Sequence, residues 1–510
     1  MKMTLGSILD VNAHNYPNRE AFIFKETRIT YSELNSIVSK RANALFHLGV
    51  NKGDHIGTLF ANCMEVVETI LAIWKIGAVL VPLSFRLSPN ELSYIIEHSE
   101  ISMVVFQDKF EEIIKKIKPL VPNVKSFLFS GNTPSNEFID FDLESNKQPN
   151  QMPKLEVEED DTATILYTAG TTGKPKGVVA THANWVWACV NYLVALTKGK
   201  YQHGIGLTVF PLFHAGALGN LCAMLWGGVT SIFLEKFDPV RILEMIEKEK
   251  ITRLGNPPTV YKMLLQVPNI KKYDLSSVKF LASGSEMMPD ETRNQLKKIF
   301  PGAGIVENYG MTETCGGIST RREIFTDSKP YSVGLPHPFM KVRVVDNQGR
   351  SVAPGEAGEI IVSGPNIMKE YYKNPEQTAK TIRDGWLHTE DIGRFDEDGF
   401  LYVIERKHHM IISGGENIYP KEVEEILFKH PKIIEAAVFG LPDDIWGQKV
   451  CAAIVLKPGE QLSSEEVIEF CQDKLASFKK PKVIYFVETL PKSPIGKILR
   501  SVLKKQFSEK

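Results

Sequence analysis

The chain reads as an α/β protein: a large N-terminal domain of α/β sheets with a β-rich subdomain, followed by a small α+β C-terminal domain. Three observations predict this. Short apolar, β-branched runs alternate with helical patterns through the first three hundred residues, as in a parallel sheet with crossover helices. The texture then changes at Val342-Arg343-Val344-Val345, where an Asp346-Asn347-Gln348-Gly349 turn and the run Gly358–Val362 give hairpin signals. Finally, 510 residues are too many for one ordinary core, so two or more domains are expected.

In order along the chain, Leu5, Ile8, Leu9 and Val11 give a short amphipathic helix ending near Pro17. Ile29 to Leu34 reads as a strand end feeding a capped helix that runs to about Leu48. Residues 56–60 form a buried strand, 64–76 a helix stopped by Gly77, and 79–81 another strand. Pro89 and Glu91 open a helix leading to the strand 103–106, and 129–160 is a polar connector. After a buried strand at 164–167 and a Gly/Thr/Lys loop, a helix is predicted from Thr181 to about Leu196 and a strand at 206–210. Alternation continues through 239–310, and the last hundred residues again alternate helix and strand as a compact unit. There are no repeats and no low-complexity tract.

Lys and Arg number 60 against 61 Asp and Glu, a net charge of -1, which argues against a nucleic-acid binder working by bulk positive charge. The six cysteines have no CxxC spacing and read as reduced, mostly buried thiols of a cytoplasmic protein. The first residues lack the apolar core of a signal peptide, and no run is long enough for a transmembrane span. Peripheral membrane contact and a homodimer stay open.

The chemistry centres on Tyr167 to Val178, YTAGTTGKPKGV. Glycines let backbone N–H groups approach an anion, threonine hydroxyls add donors, and lysines add charge, so the loop suits a polyphosphate. It is not a Walker A loop, because Pro175 follows Lys174 where Ser or Thr is needed. A second stretch, Asn308-Tyr309-Gly310-Met311-Thr312-Glu313-Thr314, offers a tyrosine to stack on a purine and a carboxylate for a hard cation such as Mg²⁺. Three more stand out: GWLHTED at 385–391, ending on a carboxylate; RKHHMIISGGENIYP at 406–420; and LPKSPIGK at 490–497, with a lysine on a Pro/Gly loop.

Together and in this order, these stretches resemble the adenylate-forming superfamily over nearly the whole chain, and SGGENIYP resembles its acyl-CoA ligases. The resemblance implies a two-step reaction. A carboxylate attacks the α-phosphorus of Mg·ATP to give acyl-AMP and pyrophosphate, and the thiol of coenzyme A then displaces AMP. By motif match, Thr168, Gly170, Thr171, Thr172 and Lys176 would hold the β- and γ-phosphates, with Thr312 on the α-phosphate and Glu313 on Mg²⁺. Tyr309 and Ser283-Gly284-Ser285 would sandwich adenine, Asp391 and Arg406 would bind ribose, and Lys497 would bridge carboxylate and α-phosphate. His214 matches a position beside the acyl carboxylate, with a satisfied core histidine as the alternative.

The resemblance also implies domains at 1–405 and 411–510 around a hinge at 406–410. Rotation of the mobile C-terminal domain about His408 would withdraw Lys497 and bring Gly414 and Gly415 to a pantetheine tunnel. Phe478, Lys480, Lys482 and Arg86 match or lie near positions that grip the CoA nucleotide, a solvated basic face being the alternative. For the acid, a medium- or long-chain fatty acid is the first expectation, with Ala215–Gly228 as either an acyl-channel lining or ordinary core. Aryl, short-chain and carnitine-type acids stay open, as do a carrier-protein-loading enzyme and a non-catalytic nucleotide-binding regulator. Three positions depart from the family pattern: Ala169 for serine, Glu390 for the glycine before Asp391, and His408-His409 for a Lys-Asp or Asp-Asp pair. A hinge histidine titrates near neutrality, so thioesterification should inflect between about pH 5.5 and 8.

Overall fold

A computed structural model describes all residues except 1, 134, 153–154, 169–174, 198–203, 285, 414–415, 473, 476, 493–497 and 509–510, and at 196, 197, 408, 416 and 417 only the backbone. The chain divides into two compact units, residues 1–342 with 362–387, and residues 343–361 with 388–510.

The first unit holds two large sheets. Among the described residues one has eight strands, its parallel centre running Thr162–Thr168, Val79–Pro82, His55–Leu59, Met103–Gln107 and Ser126–Ser130 in spatial order. The other has nine, with Gly304–Tyr309, Phe280–Ser283, Arg253–Gly255, Ile205–Thr208 and Thr230–Phe233 side by side and parallel. The helices form where expected: Leu5–Asn15, Tyr31–His47, Met64–Lys75 and Pro89–His98. Thr30 and Ser88 close capping boxes with Glu33 and Glu91, which fixes where two of them start. A shared core takes Leu80, Ala163 and Leu166 from one sheet, Phe22 and Phe233 from the other, and Trp74 and Trp185 from helices. The two buried indoles are satisfied, Trp74 Nε1 donating to the Ala163 carbonyl and Trp185 Nε1 to Thr164 Oγ1, each at 3.0 Å.

Four elements stand out among those that escape the sequence reading. Glu20–Phe24 is a strand between short polar flanks; Ser126–Ser130 and the helix Phe141–Asn146 occupy part of the supposed connector; and Lys176–Thr181 is a strand pairing antiparallel with Thr162–Thr168. Each is short, and tertiary pairing outweighs a weak local signal.

In the second unit, Gly358–Ser363 lies between Lys341–Val345 and Trp386–Phe395, which in turn pairs antiparallel with Leu401–Arg406. The C-terminal part is a three-stranded sheet, Ile433–Asp443, Gly447–Leu456 and Val483–Phe486. Strand alternation gives it two cores: Ala436, Val438, Val450 and Ala452 face one, Ala437, Phe439, Cys451 and Ala453 the other. Arg500 Nη2 donates to both Glu424 oxygens, at 2.6 and 2.8 Å, and Glu424 Oε1 also accepts from the Val438 N–H, so the last helix is tied to both sheet and neighbouring helix. Residues 406–410, the expected hinge, fall inside this unit, whereas its edges run through 342–343, 361–362 and 387–388.

Candidate active site

In the first unit, the Gly/Thr/Lys loop expected to take a polyphosphate joins two antiparallel strands whose last register pair is Thr168 opposite Lys176. Gly170, Thr171, Thr172 and Ala169 lie outside the described residues. The strand before the loop is braced by Tyr167, whose hydroxyl is 2.6 Å from His98 Nδ1. Lys176 Nζ sits 5.3 Å from the ring centroid of Tyr371, and the Tyr371 hydroxyl donates to Glu313 Oε1 at 2.8 Å. Lys176 at the ring and Glu313, the expected magnesium ligand, at the hydroxyl thus meet at one buried tyrosine. Glu313 is 8% exposed, and this bond fixes its carboxylate rotamer.

Thr312–Thr314 is a single 3-10 turn held from below. Asn366, fully buried, donates to the carbonyls of Thr314 at 2.7 Å and Gly317 at 2.9 Å, and its oxygen accepts from Asn191 Nδ2 at 3.1 Å. Asn191 Oδ1 in turn accepts from the Phe339 N–H at 2.9 Å. Gly310 is obligatory, since a Cβ there would lie 1.6 Å from the Gly316 carbonyl oxygen.

Ser283 ends one parallel strand opposite Glu307 of the next, and a Cβ on Gly284 would lie 3.2 Å from the Asn308 carbonyl oxygen. Ser283-Gly284 and Asn308-Tyr309 are therefore neighbours at the carboxyl ends of adjacent parallel strands, where open α/β sheets bind ligands. Ser285 lies outside the described residues. Behind Asn308, Thr320 Oγ1 donates to Asn308 Oδ1 at 2.7 Å and so accepts from His337 Nε2 at 2.8 Å. Burial pushes the His337 imidazole down to about 4, leaving it neutral.

His214 is the N-cap residue of the helix Ala215–Trp226 and stands half-buried between the rings of Phe210 and Phe213, at 4.8 and 4.5 Å. It is not a fully buried core histidine. Asn62 sets the segment before it, donating to the Phe210 carbonyl at 3.1 Å and accepting from the Leu212 N–H at 3.2 Å.

Between the nine-stranded sheet and the helices His182–Thr197 and Ala215–Trp226 lies a small, partly open cavity. Its floor includes Gly255, Ala282 and Val306, which share one register line, and Arg253 and Phe280, which share another. Tyr192, Asn220 and Met224 form its roof. Most apolar side chains of Ala215–Trp226, including Leu218, Leu221 and Leu225, pack into the core instead.

Arg86 is exposed on the first unit, its guanidinium 5.8 Å from the Phe85 ring centroid.

In the second unit, Asp391 and Arg406 face each other across adjacent strands, Nε to Oδ1 at 2.7 Å. Asp391 is buried, and its N–H donates to Thr389 Oγ1. Glu390 has φ +59, the left-handed region. Glu405 collects the N–H groups of Arg406 and Lys421 and the His409 ring. Burial alone would raise its carboxyl, but His409, Arg500 and the Arg406 N–H outweigh that and hold it below the usual range. The His408 side chain, Gly414, Gly415 and Lys497 lie outside the described residues. Phe478, Lys480 and Lys482 occupy one segment, with Phe478 and Lys482 exposed and Lys480 half-exposed. Among the described residues, no helix is long and apolar enough to cross a membrane, and no cluster of three or more His, Cys, Asp or Glu could hold a metal ion. All six cysteines are buried and free.

Tyr371, Asn366, Asn191 and Asn62 carry no local sequence signal. Arg253 does: it is a lone cation in a short strand, and 9% exposed.

Comparison with known proteins matches residues 9–372 to the AMP-binding enzyme family and 422–497 to the AMP-binding enzyme C-terminal domain. A feruloyl-CoA synthase of Amycolatopsis is 36% identical over 508 residues, covering 99% of each chain. A long-chain-fatty-acid–CoA ligase of Bacillus subtilis is 35% identical over 537 residues, covering 99% of this chain and 95% of that one. Among solved structures, an O-succinylbenzoate coenzyme A synthetase of Bacillus subtilis in complex with ATP and magnesium aligns with a TM-score of 0.86 at 31% identity, covering 98% of this chain and 99% of that one.

Proposed function

This chain belongs to the AMP-binding enzyme family, and on that premise we propose that it is an AMP-forming acid–thiol ligase that converts a carboxylic acid to its coenzyme A thioester. The observation that carries the reading is the convergence in the first unit of Lys176, Tyr371 and Glu313, with the Ser283-Gly284 and Asn308-Tyr309 ends on adjacent strands of the nine-stranded sheet.

A carboxylate is a poor electrophile, and joining it to AMP supplies a leaving group. Two anions must first meet, so positive charge and oriented donors have to neutralise both. Lys176, Thr168 and the intervening loop bind the β- and γ-phosphates. Thr312 hydrogen-bonds the α-phosphate, and Tyr309 with Ser283–Ser285 receives the adenine. Glu313 would hold magnesium, which when bound neutralises phosphate charge; a single oriented carboxylate fits an ion that arrives with its nucleotide and keeps most of its ligands as phosphate and water. His214 lies beside the acyl carboxylate. Asp391 and Arg406 bind ribose, Lys497 bridges the two reacting anions, and Gly414, Gly415, Phe478, Lys480, Lys482 and Arg86 serve coenzyme A after a rotation near His408.

The relatives act on aryl and aliphatic acids alike. A plain fatty chain draws support from the long-chain relative, but little from the helix Ala215–Trp226, whose cavity-facing residues are Asn220 and Met224. The test is pyrophosphate release by the purified protein with Mg·ATP over a panel of acids, with and without CoA. Release enhanced by CoA is expected. Release from the acids that CoA leaves unchanged, with turnover on a phosphopantetheinylated carrier protein, would sink the CoA reading; ATP binding without any release would point to a non-catalytic regulator.

A further inference from the structure

We propose that His98 is a positioning residue for the nucleotide: through Tyr167 and Tyr372 it clasps the two strands that flank the Gly/Thr/Lys loop, and so sets the affinity for the triphosphate of ATP. This rests on the nucleotide site of the ligase reading.

Thr168 and Lys176, the last register pair before the loop, are the groups given to the β- and γ-phosphates. They are aligned by the step below them, where Tyr167 pairs with Gly177. Gly177 has to be bare at that step. A Cβ on it would lie 2.8 Å from Ile165 Cγ2, 3.2 Å from Tyr167 Cζ and 3.3 Å from Tyr372 Cβ. The Tyr372 N–H donates to the Gly177 carbonyl at 2.7 Å, so the strand leaving the loop is held by the backbone of Tyr372.

Both strands are tied to His98, the last residue of the helix Pro89–His98. Its Nδ1 is 2.6 Å from the Tyr167 hydroxyl. Its ring centroid lies 5.8 Å from that of Tyr167 and 6.0 Å from that of Tyr372, and Tyr94 stacks on it at 5.4 Å. Tyr372 is fixed in turn by its hydroxyl, which donates to Glu100 Oε2 at 2.6 Å, while Glu100 Oε1 pairs with Lys373 Nζ at 2.8 Å. Glu100 and Lys373 both have left-handed backbone, φ +53 and +52. Two such non-glycine residues joined by an ion pair mark a joint imposed by tertiary contacts rather than by local preference. The neighbouring Tyr371 bonds Glu313, so one dipeptide touches both the base of the loop and the carboxylate expected to hold magnesium. Strands locked at their base lose less freedom when a triphosphate binds, which strengthens binding of ATP without altering the chemical step.

The experiment measures KM for Mg·ATP and kcat for pyrophosphate release with CoA and the best acid of the panel, and in parallel the calorimetric Kd of Mg·ATP without acid. Tyr167→Phe keeps the ring and deletes the hydroxyl; His98→Phe keeps a ring and deletes Nδ1. Each should raise KM and Kd by roughly threefold to tenfold while kcat stays within about twofold of wild type. His98→Asn, whose amide can stand in the place of Nδ1, should recover part of that loss. Unchanged KM and Kd, whatever happens to Tm or kcat, would overturn the clasp and leave the cluster a fold-stabilising role only. If His98→Phe does not fold, Tyr167→Phe decides alone. A wild type that binds Mg·ATP but releases pyrophosphate with no acid would overturn the ligase reading, and the Kd values would then decide the clasp by themselves. A wild type that does not bind Mg·ATP would overturn both.

Discussion

Asn366→Ala tests whether the Thr312–Thr314 turn is held from beneath. The side chain is fully buried and serves three groups: the Thr314 and Gly317 carbonyls and the Asn191 amide. Truncation strands all three. A buried polar group left unpaired costs about 1–3 kcal/mol, and a water entering the space of the lost amide would recover part of it. A net loss of about 3–5 kcal/mol follows, equivalent to a Tm lower by roughly 4–7 °C in a unit of this size. The same bonds hold the C-terminal side of the turn that carries Thr312 and Glu313, so the adenylation rate should fall on the order of 100-fold, as a displacement near 1 Å does elsewhere. Thermal melts and acid-dependent ATP–pyrophosphate exchange are the two readouts. Asn366→Asp sharpens the test, because a carboxylate cannot donate to the two carbonyls and should be at least as damaging. A variant melting within about 2 °C of wild type and exchanging at an unchanged rate would show that the turn is held by something else.

Three further outcomes follow. Tyr371→Phe removes a hydrogen bond to a carboxylate worth about 1.5–3 kcal/mol and should raise the magnesium concentration needed for half-maximal pyrophosphate release by roughly tenfold or more; an unchanged magnesium titration would remove Tyr371 from the site. Glu390→Gly relieves a left-handed backbone that costs a non-glycine residue about 1 kcal/mol, so a small gain in Tm is expected, and a loss would mean the Glu390 side chain repays its strain. His182 and His337 are both buried and held down to about 4. Between the unfolded value near 6.5 and about 4, only the unfolded state binds their protons, so the stability they confer is full above about 6.5 and is lost as pH falls, by about 1.4 kcal/mol per pH unit for each histidine. Urea midpoints from pH 7 down to about 4.5 should show this slope, and His337→Gln should reduce it; a flat profile over that range would refute the neutral assignment.

The sequence made the fold legible where period and punctuation agreed. Thr30 with Glu33 and Ser88 with Glu91 mark helix starts in four residues, and both capping boxes form. It failed where strands are short and defined by pairing. Lys176–Thr181 is apolar enough to be a strand, but only its antiparallel register with Thr162–Thr168 shows that the strands flanking the Gly/Thr/Lys loop are neighbours. The site divides along the same line. Glu313 and Asp391 could be picked out because each motif is local. Tyr371, which orients Glu313, is 58 residues away and arrives through the pairing of Glu370–Tyr371 with Val178 and Val179.

Glu390 shows how a departure from a family pattern gains meaning only from the backbone. In sequence it is an added negative charge beside Asp391, the carboxylate expected to take ribose. In the fold its φ of +59 explains why glycine is the usual residue, since no Cβ has to be accommodated there. Arg253 is the converse case. As a lone cation in a short strand it reads as an anomaly, and only the register with Gly206 and Phe280 turns it toward the cavity of Asn220 and Tyr192. The catalytic steps of such a ligase concern only the carboxylate that is activated, so the motifs that carry the chemistry are silent about the rest of the acid. Arg253, Asn220 and Tyr192 share a cavity without sharing a motif, and no local signal in the sequence could have brought them together.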